Sequence, residues 1–278
     1  MRFRARIVRG YVGSYAALLF AAALILFPIY WMVIDSLKIP RDILRTPSLW
    51  PHLFTWNNYI SLIADKGFLV NIRNSLIVAG SVTIISVIIS SLAAYSMARY
   101  RTRFRGLVGR LILFAYLTPT SLLFIPLSIV IAQLGLGNSL TGLVLVYLTF
   151  SLPLGTWLLQ GYFRGVPREL EEQAAIDGLS RLGALIRIVL PLSAPGLAAV
   201  SIFTFTGAWN ELLLALVLTT SESIRTAPLA LNYLVTSDVI PWGPVMAGAV
   251  LSSLPLIVLY FVAQRFMVQG MMAGSVKG

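Results

Sequence analysis

The sequence predicts an all-α, polytopic membrane protein: six transmembrane helices, with a cytoplasmic helix–turn–helix inserted between the fourth and the fifth. Three observations predict it. Of 278 residues, 58% are hydrophobic and only 11% charged, against about 45–50% apolar and about 25% charged in soluble domains. The mean hydropathy is +0.86, and the apolar residues are gathered in blocks long enough to cross a bilayer. Lys and Arg, twenty-one against ten Asp and Glu, cluster on alternate loops between those blocks.

A helix needs roughly 20 apolar residues to span the hydrocarbon with every backbone group satisfied internally. Six stretches qualify: residues 11–34, 74–97, 107–132, 140–162, 194–218 and 245–267. The whole chain, 1–278, reads as one transmembrane domain. Arg2, Arg4, Arg6 and Arg9 precede the first stretch as a signal peptide's basic region would. The apolar run behind them is too long for a signal sequence and ends at Trp31, not at small residues, so a retained span is expected.

Orientation follows from the basic residues. With the N-terminus inside, internal segments hold fifteen Lys and Arg, among them Arg99, Arg101, Arg103, Arg105, Arg110, Arg164, Arg168, Arg181 and Arg187. External loops hold six: Lys38, Arg41, Arg45, Lys66, Arg73 and Arg225. The positive-inside rule then places both termini in the cytoplasm. So basic a chain could also suggest nucleic acid, but it has no soluble basic domain to bind it. Cysteine is absent, which excludes disulfides, thiolate metal sites and a cysteine nucleophile. His52 is the sole histidine, in an external loop, and makes neither a metal site nor a hydrolase triad.

Prolines interrupt the later spans at Pro119, Pro126, Pro153 and Pro255. Each removes a backbone donor and favours a kink, and a bend at Thr118-Pro119 is a candidate wall for a solute path. Glu211 is the one acid placed inside a span. A carboxylate there is costly and marks a functional position. With Asn210 and Trp209 it offers an amide and a carboxylate for sugar hydroxyls and an indole face for a sugar ring. Pairing with a partner protein or water is the alternative. On one continuous helix Asn210 and Glu211 would point about 100° apart.

The segment 161–190 is a soluble element between spans. Pro167 suits a first helical position, and Glu169, Glu171 and Glu172 sit near the positive end of the helix dipole. Asp177-Gly178 reads as a stop, and Ser180 as the cap of a second helix ending at Pro191. Leu170, Ala174, Ile176, Leu179 and Leu182 give the unit an apolar side, which folds back on the spans or meets a partner.

The run EEQAAIDGLSRLGALIRIVLPLSAP resembles the cytoplasmic signature loop of ABC importer permeases, Glu-Ala-Ala, three residues, Gly, nine residues, Ile-x-Leu-Pro. Glu172, Ala174, Gly178, Ile188, Leu190 and Pro191 fall on its fixed positions, while Gln173 stands where the first alanine belongs. Ser36-Leu37-Lys38, Asn57-Asn58-Tyr59, the stretch from Ala93 to Arg99, Ala208-Trp209-Asn210-Glu211 and the tail from Gly274 to Gly278 extend the similarity to maltose/trehalose-type sugar permeases. That resemblance implies a coupling element built on Glu171, Glu172, Ala174, Asp177, Gly178, Leu182, Ile188, Leu190 and Pro191, seated on an ATPase. It implies a substrate pathway at Trp209, Asn210, Glu211, Thr118 and Pro119. It also implies assembly in a bacterial or archaeal cytoplasmic membrane. The partners would be a second homologous permease, a dimer of cytoplasmic ABC ATPases and an extracytoplasmic solute-binding protein or lipoprotein. ATP and Mg would be bound by the ATPases alone, since this chain has no Gly-x-x-x-x-Gly-Lys-Ser/Thr loop and no cofactor is expected on it. A disaccharide such as trehalose or maltose would be the solute. The external stretches 35–73 and 219–244 are candidate contacts for the binding protein. The rival class, an ion-coupled secondary transporter, would show buried ionisable pairs or internal repeats.

Overall fold

A computed structural model describes residues 2–45, 48–100, 103 and 105–275, and among these there is no β-strand. Arg101 and the last three residues of the tail, Val276, Lys277 and Gly278, lie outside the described residues. The main helices are α1 (Arg2–Ser36), α2 (Phe68–Arg99), α3 (Arg105–Leu117), α4 (Thr120–Gln133), α5 (Leu140–Gly165) and α6 (Arg168–Ile176). They are followed by α7 (Arg181–Leu192), α8 (Ala194–Asn210), α9 (Leu213–Leu218), α10 (Ala227–Val235) and α11 (Trp242–Ser275). Among the described residues four helices are long and apolar enough to cross a membrane: Ser14–Ser36, Phe68–Arg99, Leu140–Gly165 and Trp242–Phe266. Two bent pairs raise the number to six when each counts as one span, Gly106–Leu117 with Thr120–Gln133 and Arg181–Leu192 with Ala194–Asn210.

The chain divides into two compact units, Met1–Phe68 with Leu231–Ser253, and Leu69–Ala230 with Leu254–Gly278. In the first, α1 exposes Leu18, Leu19, Phe20 and Leu24 along its length, as a helix surrounded by hydrocarbon does. Its end is fixed by a buried ion pair. Lys38 is 1% exposed, and its Nζ lies 2.6 Å from Asp35 Oδ1, donates to Ser48 O at 2.6 Å and sits 4.9 Å from the Trp31 ring centre. Asn58 then donates to both Ser36 O and Lys38 O at 2.8 Å. A buried ammonium is tolerated only with such partners.

In the second unit, α5 is the hub, with α3, α4, α8 and α9 packed on it. Val78, Val82, Leu143, Tyr147, Leu214 and Leu218 form one apolar cluster, and Ala94, Leu159, Phe163, Leu185 and Val200 another. Gly155 permits the close approach of α2 and α5, because a Cβ there would stand 2.6 Å from Ser90 Oγ.

Two of the expected spans are not single helices. The stretch 107–132 breaks at Thr118-Pro119 and turns by 99°. Pro119 has no N–H to continue the ladder and disfavours helical geometry at the residue before it. The stretch 194–218 stops at Asn210, with Glu211 extended at φ −68°, ψ 125°. The 100° relation between Asn210 and Glu211 therefore does not hold. Pro126, Pro153 and Pro255 all remain inside helices.

Candidate functional site

A cavity of about 270 Å³ lies where these two breaks meet the second unit's helices. Its polar wall comprises Thr118, Thr120, Tyr147, Ser151, Thr204 and Glu211, and Tyr116, Phe150 and Phe203 supply aromatic surface. Among the described residues no Lys, Arg or His lines it. Hydroxyls and aromatic faces without cations suit a neutral, hydroxylated solute better than an anion, which would require charge-assisted donors.

Of the residues singled out in the sequence, Thr118 and Glu211 reach this wall. The Thr118 hydroxyl donates to Phe114 O at 2.9 Å, taking a carbonyl left near the end of α3. Pro119 precedes the first residue of α4 and is not part of the lining. Trp209 does not face the cavity: it is 2% exposed and stacks on Phe205 at 5.6 Å between ring centres, with 14° between planes. Asn210 is exposed and also off the wall. The Glu211 carboxylate is already engaged within the chain. It accepts from the backbone N–H groups of Leu214 at 3.0 Å and Ala215 at 3.1 Å, and from the Tyr147 hydroxyl at 2.8 Å. Tyr147, Ser151, Thr120 and Thr204 were not picked out from the sequence. The spacing Thr204, Gly207, Ala208 and Tyr147, Ser151, Leu154 was the available signal, since residues three and four apart share a helix face.

The second feature is the helix–turn–helix formed by α6 and α7. Pro167 caps α6 from outside at φ −57°, ψ 135°, one residue before the first helical position expected for it. The turn is built as the sequence demands. Gly178 has φ +83°, its N–H donates to Ala175 O at 3.1 Å, and Leu179 N–H reaches back to Ala174 O at 2.9 Å. That is a Schellman stop with glycine in the left-handed position. Ser180 caps α7, accepting from Gly183 N–H at 3.1 Å.

Glu171 and Glu172 part company here. Glu171 faces α2, pairing with Arg99 at 2.6 Å and accepting from the Tyr95 hydroxyl at 2.6 Å, while Arg99 also donates to Val166 O at 2.9 Å. Ala174 is buried. Glu172, Gln173, Asp177, Gly178 and Leu182 are exposed, and Ile176 is 86% exposed. Ile188 and Leu190 are half-buried and Pro191 is exposed, where the helix widens so that Leu190 N–H donates to Leu185 O. The element is thus held on one side by Glu171 and bare on the other. Nothing in the sequence marked Tyr95 and Arg99 as its anchor beyond their place at the end of a span.

An apolar helical bundle with a cavity at broken helices, lined by hydroxyls, aromatic faces and one engaged carboxylate, fits a membrane transport component. Residues 86–273 match the family described as binding-protein-dependent transport system inner membrane component, and the chain belongs to that family. It is 37% identical over 254 residues to a sulfoquinovosyl glycerol transport system permease of Agrobacterium fabrum, covering 91% of this chain and 89% of that one. It is also 37% identical over 260 residues to a trehalose/maltose transport system permease of Thermococcus litoralis, covering 92% and 93%. Among solved structures, a bacterial ABC transporter involved in import of the acidic polysaccharide alginate shares the fold, with a TM-score of 0.79 at 22% identity over 94% of this chain and 97% of that one. The protein is a multi-pass membrane transport subunit and not an enzyme.

Proposed function

We propose that this chain is one of two permease subunits of an ATP-driven sugar importer. The bare face of the α6–α7 element carries the reading. Glu172, Asp177, Gly178 and Ile176 stand exposed on a rigid turn that is fixed to α2 by Glu171, which suits a lever seated in a separate ATPase. Hydrolysis of ATP with Mg belongs to that ATPase dimer, and its closure moves the element and rocks the helices between outward-open and inward-open arrangements. Glu172, Ala174, Asp177, Gly178, Leu182, Ile188, Leu190 and Pro191 form the coupling surface or its base. Both termini are cytoplasmic, with fifteen of the twenty-one basic residues on the same side. The exposed apolar flanks face lipid and the second permease, and an extracytoplasmic binding protein delivers solute.

The cavity at Thr118, Thr120, Ser151 and Thr204 is this subunit's share of the path. Its hydroxyls and aromatic faces, beside a carboxylate already engaged within the chain, favour an uncharged disaccharide such as trehalose or maltose, in line with the name of the Thermococcus litoralis relative. The test is reconstitution of the full complex in proteoliposomes. Uptake that requires ATP, the binding protein and an intact α6–α7 element is expected. Uptake driven by an ion gradient without ATP would overturn the proposal.

A further inference from the structure

We infer that Glu211 is a positioning residue: with Tyr147 it fixes the break between α8 and α9 and holds α9 in place, and it is not a ligand for the solute. The inference takes the cavity to be the solute path, as proposed above. α8 ends at Asn210 and α9 begins at Leu213. A break among apolar helices strands the first N–H groups of the second helix, and hydrocarbon offers them no acceptor.

Glu211 supplies the acceptors. Its two oxygens take Leu214 N–H at 3.0 and 3.1 Å, and Oε2 also takes Ala215 N–H at 3.1 Å and the Tyr147 hydroxyl at 2.8 Å. A negative charge is favoured at this end of a helix. The carboxylate is spent on the protein, and Tyr147 ties it to α5. From there α9 buries Leu214, Ala215 and Leu218 and packs on α4 and α5. Its far end is gripped by Asn138, whose N–H donates to Leu218 O at 3.0 Å. The Asn138 side chain accepts from Thr220 and Ser221 N–H and donates to Ser221 Oγ at 2.7 Å. One line of contacts therefore runs from Tyr147 through Glu211 and α9 to Asn138. Loss of the carboxylate is felt at Ser221, away from every cavity hydroxyl.

The chain has no cysteine, so a reporter pair can be introduced without a competing thiol; it gives up the Asn138 side-chain bonds in every variant alike, so differences between variants read Glu211. Asn138→Cys with Ser221→Cys is placed where the two native side chains meet, and disulfide formation is timed in the assembled complex in membranes. With Glu211→Ala the rate is expected to fall at least about fivefold, as for a lost helix cap. With Glu211→Gln it returns to within about twofold, because the amide oxygen still accepts the α9 N–H groups. Tyr147→Phe, which keeps the cap and removes one donor, falls between. In the complex without the reporter, Glu211→Ala lowers the maximal uptake rate alike for every transported sugar and leaves apparent KM within about twofold, the pattern of a group that does not bind solute. An unchanged reporter rate in Glu211→Ala overturns the inference. So does a Glu211→Gln variant as impaired as Glu211→Ala with a loss that varies from sugar to sugar. The reporter decides the inference even if the native complex moves no sugar, a result that counts only against the proposed function.

Discussion

Substitution of Gly178 separates backbone strain from crowding at the α6–α7 turn. Its φ is +83°, and a Cβ built there meets nothing within 4 Å. The cost within the subunit is therefore conformational. Placing an L side chain in the left-handed region costs roughly 1–2 kcal/mol, less for Asn and more for a β-branched residue. Such a loss shifts the closed turn's population by about 5–30-fold. If the turn is limited by strain, Gly178→Asn is mildest, Gly178→Ala intermediate and Gly178→Val worst. If a partner is packed against the site, damage follows size, and Ala is milder than Asn. Hydrogen exchange across residues 168–185 of the detergent-solubilised chain reads the strain without any partner, through the Leu179 N–H bonded to Ala174 O. ATPase co-purification reads the docked state. Exchange in Gly178→Val equal to that of the native chain would refute the strain argument. Binding that ranks Ala above Asn would move the cause to the interface.

The anchor of the element gives a second expectation. Arg99→Met leaves Glu171, at 13% side-chain exposure, without its cation; breaking a buried pair costs about 3–5 kcal/mol, and limited proteolysis should open between residues 166 and 180. Lys38→Met should lower thermal stability through the orphaned Asp35 by a similar about 3–5 kcal/mol, and Asp35→Asn added to it should restore much of the loss. Gly155→Ala should destabilise by about 1–3 kcal/mol through collision with Ser90 Oγ, with Ser90→Ala relieving part of it in a double-mutant cycle measured by thermal unfolding. Ser151 and Thr204 carry buried hydroxyls with no hydrogen-bond partner among the described residues. Ser151→Ala and Thr204→Val should raise the melting temperature of the solute-free protein, since an unmade buried hydrogen bond costs about 1–3 kcal/mol, while slowing uptake.

Much of the architecture was legible because it follows from local rules. Block length and apolarity fix which segments can cross, the asymmetry of Arg and Lys suggests their direction, and Gly178 and Ser180 are a helix stop and a cap that owe nothing to distant contacts. The breaks were not legible. Six prolines stand in the apolar stretches, yet Pro28, Pro126, Pro153 and Pro255 sit within continuous helices and Pro195 in the first turn of α8, while Pro119 accompanies a 99° turn. The outcome depends on what surrounds each proline, and single-residue chemistry does not contain that. The role of Glu211 was not legible for the same reason. A carboxylate within an apolar run signals a functional position, but whether it serves a solute or a stranded N–H depends on a break that no glycine or proline announces. Trp209 was read for its surface chemistry, and its partner proved to be Phe205, four residues back on the same helix.

The cavity divides its polar groups into two kinds, and the division follows from the cost of breaking a helix in an apolar environment. Each break leaves backbone groups that neither water nor lipid can satisfy. At the first, the Thr118 hydroxyl takes Phe114 O; at the second, Glu211 takes the N–H groups of Leu214 and Ala215. Both side chains stand on the cavity wall, so the groups most conspicuous in the sequence are the ones already committed to holding that wall open. The buried hydroxyls on the wall without a partner among the described residues are weaker and neutral, those of Ser151 and Thr204, joined by aromatic faces. A path with strong, free charges would bind its solute tightly and release it slowly. If the proposed function holds, a path whose charge is consumed by its own framework presents shallow sites, leaving selection to a binding protein and directionality to an engine outside the membrane.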